Sequence, residues 1–313
     1  RVEQTDFSAV GVQSLIDEIG GSGDPVFGLQ HHDRSFTDVL PSIAVRYEVR
    51  EDLVLRGGYA RTLARPTFEA VAPYAAIEVT EDDGDIEREA ELGNPNLDTL
   101  TADNLDLAIA WYPGDVAVLS AGLFYKRLKD FFVVSDVAGE PGPYVDFDEA
   151  LTTLNGDTAE LFGLELNGVR QLDMLPAPWN GLSLSANLTL TDGEATLPFR
   201  DGKTPLPRQS ETLGNIAIGY EDARWSLRLA ANYRSEFLDE VNELDDPAFD
   251  RYADSHLQYD FTGSYRVDSR YLVYLNAINL NNEPFYAYFD EPAFNSQYEE
   301  YGRTFELGVK ASF

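Results

Sequence analysis

The chain has 313 residues, no cysteine and a formal charge of −32, from 55 acidic against 23 basic residues. That balance argues against a nucleic-acid partner and against adhesion to anionic headgroups through a basic patch, since both need clustered Lys and Arg. The missing cysteines exclude disulfides and thiolate metal sites, and with no run of about 18 apolar residues there is no membrane-spanning helix, a test that β-barrel strands escape because they are short and alternate.

The dominant signal along the chain is alternation with a period of two, as a strand lying between an apolar and a polar phase requires. Residues 1–12 read as the end of one strand, and residues 14–19 as one short turn of helix inside a loop. Strands are then expected at 43–49 and 53–63. Next, Leu105, Leu107, Ile109 and Trp111 oppose Asn104, Asp106, Ala108 and Ala110. Weaker alternation follows at 116–125 and 161–172. Leu182, Leu184, Ala186, Leu188 and Leu190 share a clean face, and further strands are expected at 212–220, 225–234, 257–267 and 271–279. The last strand puts Phe305, Leu307, Val309, Ala311 and Phe313 on one face against Thr304, Glu306, Gly308, Lys310 and Ser312. The total is about eleven strands, or twelve with residues 1–12. Several approach the roughly 9–11 residues that cross a bilayer when tilted. The aromatic share of 12 % suits girdles at both membrane interfaces.

Short and long connections alternate. Residues 50–52, 113–115, 221–224 and 268–270 are tight, and 173–180 is a medium turn with two prolines. Residues 66–103, 127–160, 191–211, 235–256 and 280–302 are long. An up-and-down barrel in an outer membrane has this asymmetry, with short periplasmic turns and long external loops. The acidic charge concentrates in the long connections, notably 78–91 and 235–255, and leaves the apolar strand faces nearly uncharged.

Several stretches together resemble the TonB-dependent outer-membrane receptors. They are Leu55-Arg56-Gly57-Gly58-Tyr59-Ala60-Arg61-Thr62-Leu63-Ala64-Arg65-Pro66, Gly93-Asn94-Pro95-Asn96-Leu97, Gly163-Leu164-Glu165-Leu166, Leu206-Pro207-Arg208-Gln209-Ser210, Asn276-Ala277-Ile278-Asn279-Leu280-Asn281-Asn282-Glu283-Pro284, and the end from Tyr301 to Phe313. The resemblance implies an all-β fold, a transmembrane antiparallel up-and-down barrel of 22 strands with its lumen plugged. Residues 1–313 would then be the C-terminal part, about 11–12 strands, with the N-terminal plug and first strands lying before Arg1. It further implies import of a scarce solute, such as an oligosaccharide or siderophore, energised by the TonB–ExbB–ExbD system through that plug. Outer-membrane lipid surrounds such a barrel, and Phe313 would belong to the signal read by the barrel-assembly machinery. No cofactor is implied. A passive porin or structural barrel, and a soluble acidic β-rich binding protein, are the alternatives.

No constellation for catalysis stands out. His31 and His32 are adjacent, so a strand would point their rings apart, and a polar loop is the expected setting. Asp82-Asp83-Gly84-Asp85 lacks the spaced ligands and terminal Glu of a calcium loop. No serine pairs visibly with His256, so no enzyme is expected. Candidate solute-binding residues are Arg65 and Arg234, where strands meet external loops, Tyr144, and Tyr286, Tyr288 and Tyr298 in the most aromatic loop. Flat rings give contact area at low entropic cost. Pairing of the two arginines with nearby Asp or Glu is the simpler expectation for them, and the upper girdle at the lipid interface is an alternative for the tyrosines.

Overall fold

The structure is a computed structural model that describes residues 1–15, 26–82, 85–114, 116–242 and 246–312. The first strands are β1 (Val2–Leu15), β2 (Val26–Val39), β3 (Ser42–Arg50) and β4 (Leu53–Ala64), followed by a single helical turn α1 (Phe68–Val71). Then come β5 (Ala75–Asp82), β6 (Asp85–Leu92), β7 (Leu100–Trp111), β8 (Ala117–Lys129), β9 (Phe132–Asp136), β10 (Glu149–Asn155), β11 (Thr158–Gln171) and β12 (Leu182–Ala195). The rest are β13 (Thr204–Pro205), β14 (Thr212–Glu221), β15 (Trp225–Arg234), β16 (Phe237–Glu240), β17 (Arg251–Ala253), β18 (His256–Arg266), β19 (Tyr271–Ile278), β20 (Phe285–Phe289), β21 (Asn295–Glu299) and β22 (Thr304–Ala311).

Eleven of these form one unbroken antiparallel path, β3-β4-β7-β8-β11-β12-β14-β15-β18-β19-β22. They are the eleven strands expected from alternation. The sheet is open, so it is the wall of a partial barrel, with β3 and β22 at its two edges. Register explains its two faces. On one face Leu107 lies opposite Gly57 and Leu123, Leu123 opposite Leu164, and Leu164 opposite Leu190. A lower row runs Leu184, Ile218, Leu229, Phe261, Ala277, Phe305. Most of this face is uncovered: Leu107 is 54 %, Phe305 64 % and Leu307 75 % exposed, whereas the small Ala277 is covered, at 3 %. An apolar surface this large and continuous belongs against lipid or a partner. The opposite face is polar. Across six neighbouring strands it carries Ser120, Asn167, Asn187, Asn215, Asn232 and Gln258 at one level, and Asn215 donates to Asn187 at 2.7 Å.

The apolar face has aromatic and charged borders. At the long-connection end, Tyr59 donates to Asp103 at 2.7 Å, and Arg127 lies 3.5 Å from Glu160. At the short-turn end stand all three tryptophans, Trp111, Trp179 and Trp225, the last packed 4.5 Å from Tyr265. Two of the tight turns share one device. Asp222 accepts the backbone N–H groups of Arg224 and Trp225 at 2.8 and 2.7 Å, and Asp268 those of Arg270 and Tyr271 at 2.7 and 3.0 Å. An Asp closing its own turn in this way needs no longer loop.

The long connections carry strands that alternation did not single out. Strands β2-β1-β5-β6-β10-β9 make a second sheet, containing the parallel pairs β1–β5 and β6–β10, and β16-β17-β20-β21 make a third. Residues 1–12 are indeed strand, but β1 continues to Leu15, so the helical turn expected at 14–19 begins as strand and its remainder lies outside the described residues. His31 and His32 lie in β2 and not in a loop. Residues 83–84 of the acidic run, and Phe313, also lie outside the described residues.

Candidate functional site

The second sheet carries a pocket of about 430 Å³, lined by residues of β2 and β10, Tyr144, and the segments flanking β5 and β6. Its floor is the 93–97 stretch. A Cβ at Gly93 would sit 1.8 Å from the carbonyl oxygen of Ala72, so only glycine lets the two segments approach this closely. Asn94 then staples the turn. Its backbone N–H reaches the Ala70 carbonyl at 2.7 Å, its Nδ2 the Thr153 carbonyl at 3.0 Å, and its Oδ1 accepts the Asn96 N–H at 3.0 Å. Leu97 is 1 % exposed and anchors the segment, and Arg34 donates to its carbonyl at 2.7 Å.

The polar lining consists of Gln30, His31, His32, Tyr74, Asn94, Asn96, Tyr144 and Thr152. None is a carboxylate or a guanidinium, in a chain of net charge −32. His32 Nε2 is buried without a partner, and such an atom is costly unless something supplies a hydrogen bond. Burial and then nearby Glu91 raise the Tyr74 hydroxyl above the ordinary tyrosine range, and its proton is directed to Glu91 Oε1 at 3.3 Å. The arrangement suits a ligand offering hydroxyl or amide groups and a flat face. Among the described residues no cluster of three or more His, Asp or Glu is placed to hold a metal ion.

Of the residues singled out in the sequence, Tyr144 lines this pocket, with its ring 5.2 Å from Phe147. Arg65 stands beside the same sheet and is engaged as expected. It reaches Asp38 and Thr5 at 2.9 Å and Thr99 at 2.5 Å, with Glu3 at 3.8 Å. Its guanidinium and that of Arg34 both lie over Phe36, at 5.1 and 4.7 Å. Arg65 thus clamps the β1–β2 hairpin to the segment after β6.

The other candidates fall at the third sheet. Tyr286 lies 6.0 Å from Tyr288 and 6.4 Å from Tyr298, and Tyr252 stacks on Tyr288 at 5.8 Å. The three are brought together, but they are not equivalent. Tyr288 is 3 % exposed and donates to Glu236 at 2.8 Å, whereas Tyr298 is 53 % exposed. They sit in a sheet of their own rather than on the eleven-strand wall. Arg234, at the end of β15, forms no ion pair with Asp or Glu among the described residues, unlike the expectation. It lies 4.5 Å over the Phe237 ring and 3.4 Å from the Asp254 carbonyl, and its Nε is buried without a partner. Sequence reasoning missed His31, His32, Tyr74, Asn94 and Asn96 as pocket residues. The glycine and asparagines of 93–97 were the one available signal.

A family model described as "TonB dependent receptor-like, beta-barrel" matches residues 1–280. Among solved structures, the ferric enterobactin receptor of Pseudomonas aeruginosa is similar at 18 % identity and TM-score 0.62, covering 92 % of this chain and 42 % of that one. The siderophore receptor PirA from Acinetobacter baumannii is similar at 15 % identity and TM-score 0.63, over 92 % of this chain and 43 % of that one. The ferric yersiniabactin uptake receptor FyuA from Yersinia pestis gives 15 % identity and TM-score 0.59, over 93 % and 40 %. No curated protein matches.

Proposed function

This chain belongs to the TonB-dependent receptor β-barrel family, and from that premise we propose that it forms part of the wall and the capture surface of an outer-membrane active transporter. The observation that carries the reading is the wall itself, apolar and exposed on one face and lined with Asn and Gln at one level on the other. The apolar face meets membrane hydrocarbon between its charged and its aromatic border, and the polar face lines the lumen. The long connections face the exterior and capture solute, and energy arrives from TonB–ExbB–ExbD through a plug, as in the family. The chain spans less than half the length of the receptors it resembles.

The pocket between His32, Tyr74, Asn94 and Tyr144 is the proposed first contact for the solute. Its uncharged lining fits a ligand rich in hydroxyls, amides and flat rings. Ferric siderophores are the first class to test, because the structural neighbours named above are siderophore receptors, and oligosaccharides are the second. Binding to cells bearing the full-length receptor tests this. Tyr144→Ala and His32→Ala should each weaken capture of the transported solute by about tenfold, the loss of roughly one buried contact of 1–2 kcal/mol. Unchanged capture in both variants would remove the pocket from the account.

A further inference from the structure

The apolar face carries a notch of about 520 Å³. Its floor is made by small residues on three adjacent strands, Ala121 on β8, Gly168 on β11 and Ala186 on β12, with Trp111, Leu119 and Leu166 standing around them. Register sets the notch close to the short-turn end. Trp111 lies opposite Leu119, Leu119 opposite Gly168, and Gly168 opposite Ala186. Arg170 follows two residues further along β11, about 7 Å toward the turn and on the same face, with Ala117 and Leu184 on either side.

Arg170 is out of keeping with its surroundings. Among the described residues of the wall strands from β4 to β22, below the level of Asp103 and Asp192, it is the only side chain ionised at neutral pH on the apolar face. Asp222 and Arg224, which reach Tyr220 and Tyr265, stand in the turn beyond the strands. Arg170 is exposed and makes no side-chain hydrogen bond or ion pair among the described residues. A charge on a lipid-facing position is unfavourable unless an opposite charge meets it. A planar guanidinium matches phosphate oxygens in two-pronged fashion. An arginine that only reached for water would need no gap in the wall above it.

We propose that the notch and Arg170 hold one glycerophospholipid of the leaflet nearest the short turns. Its phosphate lies on the guanidinium, and one acyl chain rises over Gly168 toward Ala121. The inference rests on the outer-membrane reading. The small floor admits the chain, Trp111 walls it on one side, and the single cation selects an anionic headgroup. The site is on the outside of the wall, so it takes no part in solute capture. It would fix one lipid at the β8–β11–β12 seam.

Native mass spectrometry of the full-length receptor in detergent, titrated with dioleoyl phosphatidylglycerol, tests it. The wild type should take up one lipid ahead of all others. Arg170→Ala and Ala186→Leu should each weaken that first step by about tenfold, and Arg170→Lys, which keeps the charge but loses the two-pronged fork, should restore only part of it. Ala231→Leu, on the same face but away from the notch, should leave it unchanged. Dioleoylglycerol, which lacks the phosphate, should bind weakly and show no dependence on Arg170. Equal first-step affinity in wild type, Arg170→Ala and Ala186→Leu would overturn the proposal, as would equal weakening by Ala231→Leu. Heat-modifiable migration, read on the same samples, separates the two readings. A wild type that never folds in detergent defeats the membrane assignment itself. A folded wild type with no distinct first lipid defeats only the lipid site.

Discussion

Leu107 lies at the centre of the apolar band on β7, midway between Asp103 at its charged border and Trp111 at its aromatic one. It is 54 % exposed and flanked by Gly57 and Leu123. Replacing it with arginine puts a cation at mid-depth in hydrocarbon, where the cost is about 2–4 kcal/mol. That corresponds to roughly two orders of magnitude in the folded-to-unfolded ratio. Its neighbour Asp106 points to the other face, opposite Gly58 and Phe124. There a cation meets water, and Asp106→Arg should stay within about 0.5 kcal/mol of wild type. The assay is guanidinium unfolding of the full-length receptor in phospholipid vesicles, followed by tryptophan emission. Equal effects of the two substitutions, or a larger one at Asp106, would refute the assignment of the faces.

Arg200 and Asp250 form a two-pronged ion pair at 2.7 and 2.9 Å, with side chains 6 % and 3 % exposed. Asp250→Ala breaks this buried two-pronged pair and should cost about 3–5 kcal/mol locally, seen as faster hydrogen exchange in β16, β17 and β20. Tyr288 behaves differently: burial, and then the hydrogen bond to Glu236, raise its hydroxyl far above the ordinary tyrosine value. The folded state therefore holds this proton more tightly than the unfolded one. Its stability contribution is full below about pH 10 and is lost as pH climbs toward the raised value. Tyr288→Phe should flatten the alkaline decline of the melting temperature, and an unchanged decline would contradict this. Gly93→Ala should open the pocket floor, because the added carbon would meet the Ala72 carbonyl at 1.8 Å. Solute capture should fall with it, while heat-modifiable migration of the wall persists.

The wall was legible because a strand between hydrocarbon and water must alternate, and each of Leu182–Leu190, His256–Arg266 and Thr304–Ala311 shows that pattern in its own residues. The second and third sheets were not. In β5 and β6, Glu78 lies opposite Glu89, with Glu87 and Glu91 nearby. Ala75, Ile77, Val79, Ala90 and Leu92 share the opposite face, but the density of acidic residues masks this alternation, so the stretch reads as a solvated acidic loop although its backbone pairs as a ladder. In β2 the inward side chains His32, Arg34, Phe36 and Asp38 are polar and aromatic by turns, because they meet Arg65 and the 93–99 segment rather than lipid. The clustering of Tyr286, Tyr288 and Tyr298 was visible as composition, but their unequal exposure depends on the pairing of β20 with β17 and β21. Likewise, Gly93 and Asn94 stood out as a motif, whereas their reason is a close approach to residues 70–74 that only the folded chain displays.

The central claim is energised import across the outer membrane. The most direct measurement is uptake of a panel of iron-loaded siderophores and labelled oligosaccharides by a strain lacking the receptor and by the same strain complemented, each with and without a protonophore. The account predicts at least one solute that enters only the complemented strain, and whose entry stops when the proton gradient collapses. Identical uptake in both strains, or entry indifferent to the protonophore, would contradict it.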